Sequence, residues 1–534
     1  MDRARHHRNY DLHSWTGVTL GLFIFIVCFS GCIALFYHEL LAWEDPAKRI
    51  ELDREPAPFN ETMTAWVNET EKTGEIEFLN ITYPSIIEPY YLVYAHVHNE
   101  NGEDANHFVR WHPYTLEMLP TRKDGMARWL YDFHRDLMWP AELGGTTIGR
   151  ALVGAAGVIL MLAIITGVVA HTKIFEEMFS LRYLRSVRLK WQDTHKVLGL
   201  WGLPFYAMIA FTGAFLGIVA ILAPIVAVLA FKGDQETLQK AVLGAPPEPA
   251  GIEAPMLSVD DVRARAHHES GEKPVLVVTN NWGDETAIFD VFYTEDKKLK
   301  IFETVSISGV TGEVVDNPAQ VADSPSYRVV VALAPLHYGT YGGIALKVLY
   351  FFLGLALTVI TAFGTMMWLE RRIHGSEGNR SLAFYRGLSR LHTGVAMGLV
   401  VASASLFVHN TIYFGTETAR LASTGWTFFG VWFAALGYAF WRKDEYRATA
   451  EIMAASGFLL VAAALLNGAI TGHFPWSSLG EHGHSPTAWV DLTLISLGAS
   501  GIALAAALPK KRPEKKRRRK ATANAAAPSA APAE

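Results

Sequence analysis

Eight long apolar runs constrain this chain more than any other feature. They lie at roughly 15–37, 149–171, 197–222, 343–369, 393–413, 424–441, 449–470 and 487–508, each near the ~20 residues that cross a bilayer as helix. In hydrocarbon the backbone must satisfy its own polar groups, so such runs fold as helices and bury their neighbours' faces. The run at 424–441 is the shortest. Arg3, Arg5 and Arg8 precede the first run, but it is long and lacks a small-residue cleavage site, so it should stay as a helix. The expected fold class is a polytopic α-helical membrane protein of about eight spans.

Lysine and arginine set the expected orientation. They gather before the first span, between the second and third (Lys173, Arg182, Arg185, Arg188, Lys190, Lys196) and between the fourth and fifth (Arg371, Arg372, Arg380, Arg386, Arg390). They recur at Arg442, Lys443 and Arg447 and after Pro509. All of these can face the cytoplasm together only if the number of spans is even, which puts both termini inside. The long loops 39–147 and 232–340 then lie outside, and both are acid-rich, with 20 acidic to 9 basic residues and 17 to 9. The net charge of −5 hides this asymmetry. Beside a membrane span, the basic tail from Lys510 to Lys520 reads as a topology anchor on anionic lipid, and no nucleic-acid partner is expected.

Histidines stand at the mouths of the apolar runs, in register between two halves. Leu12-His13-Ser14-Trp15-Thr16-Gly17 opens the first, and Thr194-His195-Lys196-Val197-Leu198-Gly199 opens the third. Phe133-His134-Arg135-Asp136-Leu137 and Leu336-His337-Tyr338-Gly339 precede the second and fourth. One histidine at a helix end is commonly an interfacial residue; four in duplicated register point to a site. Imidazoles on facing bundle helices suit axial ligation of haem iron, with His13 and His195 expected at the inner face and His134 and His337 at the outer. His38, His171 and His374, also at helix ends, are weaker candidates, as are His392 and His409 in the later spans. His473, His482 and His484 fall in the last outer loop, where a solvated loop is the plainer reading. Each ligating ring should donate its other N–H to a carbonyl or carboxylate, and Asp11, Asp193 and Asp136 are the nearest candidates in sequence. Arg135, Arg150, Lys196 and Arg8 are candidate partners of haem propionates. No Cys-x-x-Cys-His is present, so two non-covalent b haems are expected. The two cysteines, Cys28 and Cys32, share one face of the first span and read as small packing residues. No Gly-x-Gly-x-x-Gly follows a strand and no Walker sequence occurs, so a nicotinamide domain and an ATP-driven pump are not expected. No catalytic residue is assigned.

The outer loops carry the duplication further. Val109-Arg110-Trp111-His112-Pro113-Tyr114-Thr115-Leu116-Glu117 parallels Val305-Ser306-Ile307-Ser308-Gly309-Val310-Thr311-Gly312-Glu313, each reading as a strand entering a turn. Ser258 looks like a helix cap, and alternation at 274–279, 287–293 and 300–307 predicts strands. A helix followed by a small antiparallel sheet is the expected plan of both loops.

These elements together resemble the PepSY-associated transmembrane-helix family of bacterial inner-membrane proteins, over roughly residues 10–375. The matching residues are Leu12-His13 with Gly17, Thr194-His195 with Gly199-Leu200-Trp201, the turns at 114–117 and 310–313, and Pro335-Leu336-His337-Tyr338-Gly339 with Gly342-Gly343. Leu116 departs from the pattern, standing where glycine is usual. The resemblance implies a di-haem b-type protein that reduces ferric siderophores or another ferric chelate at the periplasmic face. Together with the span positions and the charge asymmetry, it gives this expected layout: 1–38 first span and cytoplasmic N-terminus, 39–147 first periplasmic PepSY-like domain, 148–231 second and third spans with a basic loop. There follow 232–340 as second PepSY-like domain, 341–375 as fourth span, 376–508 as a four-helix extension without an assigned role, and 509–534 as a cytoplasmic tail. With no dinucleotide site in the chain, the donor is expected to be a quinol or a separate dehydrogenase. The alternative is a non-redox protein whose outer domains bind a peptide, protease or siderophore, or that acts in transport.

Overall fold

The computed structural model describes residues 3–46, 49–85, 88–98, 104–120, 125–170, 176, 178–179, 182, 187–234, 237–238, 247–293, 303–315, 325–375, 379–481 and 486–509. Among them, seven helices are long and apolar enough to cross a membrane: His6–Ala34, Gly145–Ala170, Leu203–Ala230, Thr340–Gly375, Ser381–Ile412, Glu445–Thr471 and Pro486–Ala507. The expected span at 424–441 lies in the helix Glu417–Arg442, which is 26 residues long but not apolar enough to join the seven. Ser423, Thr424, Gly425 and Thr427, with Trp426, Trp432 and Tyr438, dilute its apolar content. At 1.5 Å per residue it still reaches ~39 Å, and it packs along Ser381–Ile412.

The helices are numbered in chain order. The first half contains α1 (Arg3–Ala34), α2 (Tyr37–Glu44), α3 (Asn60–Thr70), α4 (Met126–Asp136) and α5 (Gly145–Ala170). The second half repeats the plan with α6 (Val187–Trp201), α7 (Leu203–Ala230), α8 (Val259–Ser270), α9 (Pro325–Tyr338) and α10 (Gly343–Gly375). The remainder is α11 (Ser381–Ile412), α12 (Glu417–Arg442), α13 (Glu445–Thr471), α14 (Pro475–Glu481) and α15 (Pro486–Ala507). Glycine lets backbones meet where the halves repeat: Gly154 of α5 and Gly217 of α7 lie so close that a Cβ built on Gly217 would stand 2.5 Å from the Cα of Gly154.

The two long loops do not make two separate sheets. Strands β1 (Glu75–Thr82), β2 (Tyr91–His98), β3 (Asp104–Trp111) and β4 (Met118–Leu119) come from the first loop, and β5 (Pro274–Asn280), β6 (Ile288–Tyr293) and β7 (Glu303–Ser308) from the second. They form one antiparallel seven-stranded sheet in the order β4-β3-β2-β1-β5-β6-β7. The seam is β1 against β5, with Asn80 opposite Val278. This pairing removes two edge strands that would otherwise expose unpaired backbone groups. Both α3 and α8 pack on one face of this sheet, where Met63, Val67, Val259 and Val262 meet Leu79, Val93, Val277 and Phe289, all fully buried.

Local duplication is visible bond by bond. The amide of His112 donates to Glu117 O and that of Leu116 to His112 O; the amide of Ser308 donates to Glu313 O and that of Gly312 to Ser308 O. Leu116 and Gly312 both have positive φ, 56° and 74°. The turn needs a left-handed residue there, which glycine adopts without strain and leucine does not. The two helix starts cap one another: the amides of Phe59 and Asn60 donate to Asp260 Oδ2, and the amide of Val259 donates to Asn60 Oδ1.

The C-terminal helices pack directly on the first half. Trp129 and Phe133 of α4 and Trp43 of α2 share a core with Phe407 of α11 and Phe428 of α12. Trp43 Nε1 donates to Asp491 Oδ1 at 2.7 Å, and Asn467 Nδ2 donates to the same carboxylate. Buried polar groups cost free energy unless paired, so this network fixes α13 and α15 against α2.

Candidate functional site

Four histidines converge in two pairs, each drawing one ring from each half. His13 on α1 faces His195 on α6, with ring centroids 6.2 Å apart and planes at 75°. His134 on α4 faces His337 on α9, at 6.3 Å and 14°. The second pair lies on the sheet side of the first, with His134 over Gly31 near the end of α1 and His337 over Gly213 within α7. The spacing along the rods repeats: Gly31, which His134 covers, is 18 positions after His13, and Gly213, which His337 covers, is 18 positions after His195. On the continuous α1 that separation is ~27 Å.

Every ring is seated in the same way. His13 Nδ1 lies 2.9 Å from Ala163 O, His195 Nδ1 2.9 Å from Ile360 O, and His134 Nδ1 3.1 Å from Val27 O. His337 Nδ1 lies 2.9 Å from Thr212 Oγ1, whose hydroxyl also reaches Met208 O. Nδ1–H donation to a carbonyl selects the tautomer whose Nε2 lone pair suits a metal. Beneath each ring is a glycine. A Cβ built on Gly31, Gly167, Gly213 or Gly364 would stand 2.9, 3.1, 3.0 or 3.2 Å from Cε1 of His134, His13, His337 or His195. A Cβ at Gly31 would force the ring of His134 to shift, and at the other three positions the ring would have to give by a few tenths of an ångström. Burial pushes His134 down to about 4. Burial, with the nearby His134, pushes His337 to about 3. Both rings are therefore neutral at pH 7, the form that ligates metal.

The geometry suits two axial imidazoles on one iron. Two metal–nitrogen bonds of about 2.0 Å, each continued by roughly 1.1 Å to the ring centre, place centroids ~6.2 Å apart. The observed 6.2 and 6.3 Å match this at both levels. The residues present therefore fit a bis-histidine haem at either pair.

The carboxylates nearest in sequence are not the histidines' partners. Asp11 lies 3.8 Å from His7, Asp193 holds Arg182 and Lys196, and Asp136 holds Arg135 and the amide of Met138. All three stand two positions from the histidine, and residues two apart on a helix face different ways. Of the expected propionate partners, Arg135 pairs with Asp132 and Asp136, Lys196 is buried against Asp193, and Arg8 and Arg150 are exposed.

Among the described residues, the other candidate haem ligands do not form such pairs. His38 is exposed against Tyr37; His374 lies by the carbonyl and carboxylate of Glu370; His409 Nε2 is 2.7 Å from Ser423 Oγ; His392 is buried in α11. His171, His482 and His484 lie outside the described residues. Cys32 is buried and Cys28 half-buried; both are free thiols, and Cys32 packs under Gly354. The seats were the part sequence reading missed. Their signal is a Ser/Thr-Gly dipeptide after each entering histidine, Ser30-Gly31 and Thr212-Gly213, and again at Thr166-Gly167.

Fold and site define a polytopic helical membrane protein built from two copies of a helix–strands–helix unit whose histidines meet across the copies. The PepSY-associated TM region profile matches residues 10–371, and the chain belongs to that family. It is similar to an uncharacterized protein of Pseudomonas aeruginosa, 27% identical over 368 residues that cover 66% of this chain and 88% of that one. The family match ends at residue 371, four residues before the end of α10, so α11 to α15 lie beyond the matched unit.

Proposed function

We propose that this chain is a di-haem b-type electron-transfer protein of the bacterial inner membrane that passes electrons to the periplasm and reduces a ferric siderophore or other ferric chelate there. The observation that carries the reading is the equal spacing of the two histidine pairs, 6.2 and 6.3 Å between centroids. His13 and His195 would hold one haem, and His134 and His337 the other. Each haem, when bound, would supply one-electron Fe(III)/Fe(II) chemistry. The chain's part is to fix the rings: Ala163, Ile360, Val27 and Thr212 orient them, and the four glycines set their depth. Reduction of a hard-oxygen ferric chelate weakens its hold on the metal, which releases iron for uptake. A quinol or a separate dehydrogenase is the donor in this reading, and the sheet stands on the periplasmic side with both termini in the cytoplasm.

The test is spectroscopic. Protein purified in mild detergent from haem-replete cells should show a Soret band, paired visible bands on dithionite and two haems per chain. Addition of a ferric chelate to the reduced protein should reoxidise it and yield Fe(II), trapped as a coloured complex. A colourless preparation overturns the proposal and favours a binding or transport role for the sheet.

A further inference from the structure

We propose a second, non-haem metal site on the sheet, formed by Glu77, His96 and His98, that takes a divalent first-row transition ion of the zinc or ferrous type. It is independent of the haem reading. One donor atom from each of the three residues lies within 4.8 Å of the other two, the one such group among the described residues.

Two features of β1 and β2 bring the donors together. On β2 the alternation of a strand puts His96 and His98 on one face and Ala95 and Val97 on the other, and the latter two are buried in the core. The histidines therefore project from the face that α3 and α8 do not cover. On β1 the register slips between Ile76 and Phe78: Ile76 pairs with Val97 and Phe78 with His96, so Glu77 is the extra residue of a bulge. A bulge re-aims a side chain. Here the core-facing Ile76 and Leu79 flank two successive residues, Glu77 and Phe78, that both turn outward. Glu77 thus reaches both imidazoles. Its Oε2 lies 3.3 Å from His96 Nε2 and 3.5 Å from His98 Nε2. Tetrahedral bonds of about 2.0–2.1 Å space neighbouring ligand atoms about 3.3–3.4 Å apart.

One ligand is already oriented. His96 Nδ1 lies 2.7 Å from Asn106 Oδ1 on β3, and Tyr94 OH donates to the same oxygen at 2.6 Å. Phe78 stacks on the His96 ring at 5.4 Å. An Nδ1–H donated to Asn106 leaves Nε2 as the nitrogen turned toward Glu77, the outer partner that a metal-bound histidine needs. Two imidazoles and one carboxylate suit zinc, iron, copper or nickel rather than calcium or magnesium. Three protein ligands leave a fourth position for water or an incoming donor group.

The experiment uses full-length protein in detergent, stripped with EDTA and titrated with Zn(II) by calorimetry, with bound zinc counted by elemental analysis after dialysis. The wild type should retain one zinc per chain that the His96→Ala/His98→Ala double variant lacks, and zinc should raise the thermal midpoint of the wild type only. Glu77→Gln, nearly isosteric, should lose the tight site while keeping the wild-type midpoint in EDTA. Asn106→Leu should weaken binding by ~10–100-fold, the usual cost of losing a partner that orients a ligand. Equal zinc in wild type and double variant, or none in either, overturns the proposal and leaves an ordinary histidine–glutamate ion pair.

Discussion

His134 and His337 lie with their ring planes within 14° of parallel, whereas His13 and His195, at nearly the same separation, cross at 75°. The seats are alike in kind: His134 Nδ1 meets Val27 O and Ser30 Oγ, His13 Nδ1 meets Ala163 O and Thr166 Oγ1, His195 Nδ1 meets Ile360 O, and His337 Nδ1 meets Thr212 Oγ1. Axial-ligand orientation is one of the protein's means of tuning a haem. With haem bound, the protein should give two low-spin EPR signals, the more anisotropic from the crossed pair. His134→Ala should remove the signal of the near-parallel pair and halve the haem content; His13→Ala should remove the other. One shared signal, or loss of both haems from either change, contradicts the pairing.

Glycine depth gives a second handle. Gly31→Val puts branched carbons where Cε1 of His134 now lies, since even a Cβ would stand 2.9 Å away. We expect haem content to fall from two to one with the pair of His13 and His195 intact. Gly17 lies on the same helix, and a Cβ added there would meet nothing within 4 Å, so Gly17→Ala should keep both haems and stabilise the helix by about 0.5–1 kcal/mol. Pyridine haemochrome assays and thermal melts read both.

Because β1 and β5 join the two loops, the sheet should unfold as one unit. Phe59 stacks on Tyr91 in the first loop, and Phe289 is buried beside Trp282 in the second. Truncating either to alanine should cost roughly 3–5 kcal/mol. Both changes should lower the same transition in urea, followed by hydrogen exchange at β1 and β5. Two separable transitions, each sensitive to one change, would show that the seam does not couple the halves.

Asp284 predicts acid sensitivity of the sheet. The hydroxyl and amide of Thr286, then the amides of Ala250 and Gly251, hold its carboxyl well below the usual carboxylate range. A depressed folded-state pKa contributes stability that is complete above the unfolded value near 3.9. That contribution is lost as pH falls below about 4 toward the folded pKa. Asp284→Asn should therefore lower the sheet's midpoint at pH 7 and make it less dependent on pH below 4. An unchanged pH profile counts against this account.

The sequence carried the histidine pairs because their meaning depends only on register between two repeats: His13 answers His195, and His134 answers His337. It carried the turns for the same reason, down to the position where Leu116 stands for a glycine. Partner identity was not legible, because the eye goes to carboxylates adjacent in the chain. A helix turns Asp11, Asp136 and Asp193 away from their neighbours and leaves carbonyls 150 or more positions distant as acceptors for His13 and His195. The seam was hidden too. Which edge of one small sheet meets which edge of another is decided by tertiary packing, nearly 200 residues apart in sequence. The helix at 417–442 shows the limit of counting apolar letters, since it packs along Ser381–Ile412 and exposes Trp426, Phe433 and Trp441 although its composition is more polar.

The seam between Asn80 and Val278, and the crossing of each histidine pair from one half to the other, have an evolutionary corollary. A half-length ancestor could have closed such a sheet, and faced imidazole to imidazole, only by meeting its twin about a two-fold axis. Gene fusion would turn that homodimer into one polypeptide and free the copies to diverge, as His112 and Ser308 have done at the same corner of their turns.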